Sequence, residues 1–92
     1  MEDKYLECFA YAFDEKNARI DFFGQTTVNE MEKMEDNGDF DHFHAWESRE
    51  DCLANLEQYI NGEEGYTNDD GATYEVYDLL GTPLKSLQDI TW

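Results

Sequence analysis

Hydrophobic and polar positions alternate strictly in some stretches of this chain and recur every three or four residues in others. In residues 4–13 (KYLECFAYAF), Tyr5, Glu7, Phe9, Tyr11 and Phe13 share one face, and Leu6, Cys8, Ala10 and Ala12 share the other. A period of two predicts a strand. With one face aromatic and the other small and apolar, both sides are expected to be covered, as in an inner strand. Residues 14–17 (DEKN) are short and polar and read as a hairpin loop. Residues 18–24 (ARIDFFG) form the return strand, ended by Gly24.

Residues 26–36 (TTVNEMEKMED) predict a helix. Thr27 stands at the N-cap with Glu30 three residues on, as in a capping box. Val28, Met31 and Met34 make a narrow apolar stripe. Asp36, Asn37 and Gly38 close this helix with turn residues. Residues 39–46 (DFDHFHAW) alternate again and read as a strand, with Phe40, His42, His44 and Trp46 on one side and Asp39, Asp41, Phe43 and Ala45 on the other. Ser48 then caps a second helix, with Asp51 at the capping-box position. Its apolar face is Cys52, Leu53, Leu56, Tyr59 and Ile60, and Asn61-Gly62 stops it.

Residues 63–71 form a polar loop, and residues 72–80 (ATYEVYDLL) read as a strand rich in aromatic and β-branched side chains. After a Gly81-Thr82 turn, residues 83–92 read as a last strand, placed at a sheet edge by Pro83. Leu84, Leu87 and Ile90 also repeat every three, so a short helix starting at Pro83 stays open for this segment. The order is β-β-α-β-α-β-β. It predicts one α+β domain over residues 1–92, an antiparallel or mixed sheet with two helices packed on it.

Charge changes this picture more than composition does. Of the 92 residues, 23 are acidic and 6 basic, for a net charge of −17. The 15% aromatic content marks a folded domain rather than an acidic tail. Solubility alone asks for a net charge of roughly 2–8 in a small domain. Self-repulsion in the compact state opposes anything beyond it. Phosphates repel such a surface, which excludes direct nucleic-acid binding and an anionic membrane. A basic protein partner or divalent cations remain. The N-terminus lacks the basic and apolar regions of a signal peptide, and no window is apolar enough for a transmembrane helix, so a cytoplasmic protein with reduced thiols is expected. Cys8 and Cys52 lie among apolar residues and read as small buried hydrophobes; their spacing does not forbid a disulfide.

Candidate chemistry is sparse. His42 and His44 share a strand face, with Asp39, Asp41 and Glu47 nearby, but Asp39 and Asp41 point the other way, and a zinc site needs three or four converging ligands. No metal and no cofactor is expected. "NDDG" (68–71) resembles part of a calcium loop, yet aligning Gly71 with the loop glycine puts Tyr66 first and Tyr77 twelfth, where acids are required. No signature supports a Cys–His pair, and no glycine-rich phosphate loop is present. The chain is expected to be non-enzymatic.

The acids themselves are the candidate site. Residues 30–51 hold nine of them. Glu30, Glu32, Glu35, Asp36, Asp39 and Asp41 form a first contact patch, and Glu63, Glu64, Asp69 and Asp70 a second. Acids two apart on a strand lie about 6.6 Å apart, and those three or four apart on a helix about 5–6 Å at Cβ. Duplex DNA carries one charge per roughly 1.7 Å, so the net charge of this chain matches that of a duplex segment about as long as a domain of this size is wide. In size, charge and an acid-rich, aromatic α+β frame, with EMEKMEDNGDFD (30–41) as its densest run, the chain resembles the small acidic inhibitors of phages and mobile elements, the anti-restriction and anti-CRISPR proteins that imitate nucleic acid. The resemblance is one of class and implies a mode: acids pairing with the Lys and Arg of a nuclease or effector complex. A homodimer would double the length of the acidic surface. The competing expectation is a small interaction module docking through aromatics such as Tyr66, Tyr77 or Trp92, with acidity serving solubility.

Overall fold

The computed structural model describes residues 7–90. Four strands form one mixed sheet in the order β3-β1-β2-β4. Strand β1 (Glu7–Asp14) pairs antiparallel with β2 (Arg19–Thr27) and with β3 (His42–Trp46), while β4 (Glu75–Asp78) runs parallel to β2. Helices α1 (Val28–Asp36) and α2 (Arg49–Ile60) complete an α+β fold.

The two-sided character of β1 organises the molecule. Tyr11 and Phe13 are buried on one face with Ile20, Phe22, Val76 and Tyr74, and Cys52 and Leu56 of α2 cover them. Cys8, Ala10 and Ala12 are buried on the other face beneath Met31 of α1. Side chains this small let a helix approach closely, and one methionine fills the gap. The helices therefore lie on opposite faces of the sheet. Cys8 and Cys52 sit in these separate cores as buried free thiols.

Both helices begin and end as the local sequence dictates. Thr27 Oγ1 accepts from the Glu30 N–H at 3.1 Å, and Ser48 Oγ from the Asp51 N–H at 3.3 Å. Each helix ends in a Schellman motif around a glycine with positive φ. Gly38 (φ 85°) and Asp39 donate to the carbonyls of Glu35 and Met34, and Gly62 (φ 67°) and Glu63 donate to those of Tyr59 and Gln58.

Several boundaries differ from the sequence reading: the strand read over 72–80 is confined to Glu75–Asp78, with Leu79 and Leu80 in the turn after it, and three further differences have specific causes. Gly24 does not end β2. With φ 73° it accompanies a bulge at Phe23, after which the strand continues to Thr27. Residues 39–41 do not belong to β3, because Asp39 is consumed by the Schellman closure of α1. Phe40 consequently leaves the His42 face and packs edge-on against Phe23 and Phe43. The last strand over 83–92 is also corrected. Pro83 makes a single bridge to Tyr77, Leu84 is buried, and residues 87–89 form one 3-10 turn. Asp89 Oδ2 accepts from the N–H groups of Lys85 (2.8 Å) and Ser86 (3.2 Å), which curls the backbone out of ladder geometry. Neither the strand nor a helix starting at Pro83 forms among the described residues.

Candidate functional site

The first acidic patch occupies α1 and the turn after it. Glu30, Asp36, Asp39 and Asp41 are exposed, and Glu32 and Glu35 are half-buried. Glu35 and Asp36 stand at the C-terminal end of α1, where the helix dipole disfavours negative charge, with Lys33 the one base in the last turn. The second patch, Glu63, Glu64, Asp69 and Asp70, is exposed on the loop between α2 and β4. This loop is built by Asn68, buried at its centre. The Asn68 Oδ1 accepts from the N–H groups of Asp70 (2.9 Å) and Ala72 (2.8 Å), which presents the aspartates outward.

The β1–β2 turn links the two patches, a connection that the sequence reading missed. Asp41 Oδ2 accepts from the Glu15 N–H at 2.8 Å, and Asn68 Nδ2 donates to the Glu15 carbonyl at 3.0 Å. Asp14 caps the same turn through Asn17, and Ala18 completes it with φ 51°. The Glu15 carboxylate meets His42 Nε2 at 2.7 Å. Burial pushes the Glu15 carboxyl upward, but hydrogen bonds from the Tyr74 hydroxyl and His42, the charge of His42 and the Asp69 N–H outweigh it and hold it below the usual carboxylate range. Replacing Glu15 by alanine removes the acceptor from the buried Tyr74 hydroxyl. It is expected to cost about 1–3 kcal/mol in urea unfolding, whereas Gln, which keeps an acceptor, costs less.

His42 stacks on Phe13 with ring centroids 4.4 Å apart, and His44 packs against Phe13, Tyr11 and Trp46. Burial, then the charge of His42, depresses the His44 pKa. The neutral imidazole is thus favoured by folding. Its contribution to stability is complete above about pH 6.5, the unfolded value, and declines as pH falls toward the lowered folded value. Between about pH 6.5 and 5, above the carboxylate range, wild-type Tm is expected to fall and that of His44→Gln to stay flatter.

Among the described residues no group of three His, Cys, Asp or Glu converges as a metal site. The Cys52 thiol, wholly buried, is pushed up to about 12 by burial and then by Cys8, which favours the protonated form. Of the aromatics weighed as docking anchors, Tyr66 is half-buried against Tyr59, and Tyr77 lies under the Arg19 guanidinium and donates to Glu75. Trp92 lies outside the described residues. Among the described residues the large exposed hydrophobic side chains are instead Leu79 (60% exposed) and Leu80 (91%), on the turn after β4. No described helix is long and apolar enough to cross a membrane. No family model, curated protein or solved structure matches this chain.

Proposed function

We propose that this protein is a non-enzymatic cytoplasmic inhibitor that presents acidic side chains to the basic nucleic-acid-binding surface of a nuclease or a restriction or CRISPR effector. The observation that carries this reading is the placement of acids on a folded frame. Residues 7–90 hold a net charge of −16 on a body 40 Å long. Duplex DNA of that length carries about 24 phosphates, so the protein reaches roughly two-thirds of its linear charge density. The acids at the C-terminal end of α1 support the same reading, since folding alone favours bases there.

The test is capture of basic proteins on the tagged chain from a lysate, elution by salt, and competition between the chain and DNA or RNA for each recovered partner. The expected partner releases its nucleic acid when the chain is added, and Kd weakens steeply with ionic strength. A Kd unchanged from low to high salt sinks this reading. A second reading has one observation in its favour: Leu79 and Leu80 border an apolar groove of about 620 Å³ lined by Phe22, Phe23, Leu84 and Ile90. If this groove carries the affinity, binding survives high salt and is lost in Leu80→Asp.

A further inference from the structure

The two edges of the sheet are finished differently. The outer side of β4 is covered: the Leu84 N–H donates to the Val76 carbonyl at 2.8 Å, the Asp78 N–H donates to Thr82, and Pro83 bridges Tyr77. The outer side of β3 is open, for among the described residues β3 pairs with β1 alone and is the terminal strand of the sheet. The strand is short, five residues between two carboxylates, but its interior lacks the common blocks to pairing. His42–Trp46 contains no lysine, proline or glycine, and its register with β1 runs without a bulge. Such an edge is a template for another strand.

Its flanks decide which strand. Asp41 immediately precedes β3 and Glu47 immediately follows it. A second copy pairing antiparallel about His44 would set Asp41 of each chain opposite Glu47 of the other, which like charges disfavour. A strand with a base at each end, six residues apart, meets a carboxylate at both ends instead. Beside the edge, Cys8, Val28, Ala45, Trp46, Glu7 and Glu47 line a cavity of about 340 Å³. Its walls are apolar and its charged members are both carboxylates; Glu7 accepts from Gln25 Nε2 at 3.0 Å on the far face of β1, which leaves Glu47 on the Ala45 side. A lysine or arginine can bury its methylene stem in such a cavity and leave its charged head at Glu47. Directly opposed residues in a sheet share a face, so the residue facing Ala45 is the one placed to enter it.

We propose that the open edge of β3 is a docking site for an extended basic segment of the protein partner, which adds a fifth strand to the sheet and places one Lys or Arg side chain beside Glu47. This rests on the acidic-inhibitor reading and specifies how the partner is held. Backbone pairing supplies the grip, and the flanking carboxylates exclude a neutral or acidic strand.

The probe is an acetylated, amidated peptide, Lys-Val-Lys-Val-Thr-Val-Lys, titrated into the full chain by NMR. Amide shifts along residues 42–47 and at Cys8 and Val28 are expected. Two derivatives carry N-methyl groups on alternate residues in the two possible registers. Only one edge of the peptide faces β3, so one derivative is expected to lose at least about tenfold in affinity and the other to lose little. Ala45→Lys, an exposed site where the new side chain occupies the cavity itself, is expected to weaken binding similarly. Equal binding of all three peptides to both proteins overturns the edge proposal and leaves the acidic-inhibitor reading standing. The edge proposal falls alone in the same way if no peptide binds while a basic partner is captured in a salt-dependent way. If neither peptide nor basic partner binds, both fall.

Discussion

Leu56→Ala is expected to lose about 2–5 kcal/mol of stability. Leu56 is wholly buried in α2, in the core that contains Tyr11, Phe13, Tyr74 and Val76. The rings of this core, Tyr11, Phe13, Tyr59 and Tyr74, come from three different segments and pack edge to face on one another, as Phe13 does on Tyr74 at 5.4 Å and on Tyr59 at 5.3 Å. A ring held by its neighbours cannot swing into the space that leucine vacates, so much of the cavity persists. The Tyr11 hydroxyl also donates to Asn55 Oδ1, next to Leu56 on the same helix, and this fixes α2 over β1. Domains of this kind have roughly 5–15 kcal/mol in total, and a net charge of −17 works against the compact state. Urea titration followed by circular dichroism should show a much lower midpoint with an unchanged slope. A change below about 1 kcal/mol would mean that α2 is not the lid of this core.

The second large effect concerns binding. With Glu30, Glu32, Glu35, Asp36 and Asp39 replaced by Gln or Asn, association with a basic partner is expected to slow by about 10–10³-fold at low salt. The dissociation rate should change less, because solvent-exposed rim charges act mainly on encounter. Stability is expected to hold or rise in the same variant. Removing charge at Glu35 and Asp36 relieves the unfavourable end of the α1 dipole, each by about 0.3–1 kcal/mol, while Glu30 in the first turn gives back a similar amount. Asp41 is left intact because it accepts from the Glu15 N–H. Stopped-flow association and thermal unfolding on the same variant separate the two effects. An unchanged association rate would remove the first patch from the contact surface.

Elements with local signals were legible in the sequence. The two faces of β1, the Thr27 and Ser48 caps and the Gly38 and Gly62 stops all follow from side chains within a few residues of one another. What was not legible depends on distant partners. Gly24 looks like a terminator until β1 lies beside it and turns the same glycine into part of a bulge. Asp39 and Phe40 alternate with the strand that follows, but closing α1 takes precedence over alternation. The parallel placement of β4 beside β2 is set by packing across the sheet. As for the candidate site, the acids were plain in the sequence. The turn that ties them together was not, because Glu15, Asp41, His42, Asn68 and Tyr74 come from three separate stretches of the chain. The single local hint was the Asn in NDDG, a residue that builds tight loops from within.

The opposite-face arrangement of the helices divides the molecule mechanically. On the α2 side, a broad core of rings and aliphatic chains holds one layer; on the α1 side, four buried residues, three of them small, hold the other with half-buried Phe23, Val28, Phe40 and Phe43 around them. The layers meet across β1, β2 and β3, and the thinner one is expected to open first, so the amides of α1 should exchange with solvent sooner than those of α2. On the inhibitor proposal, an acid-bearing helix on the more yielding side of the domain lets that surface follow the contour of a larger protein without loosening the rest.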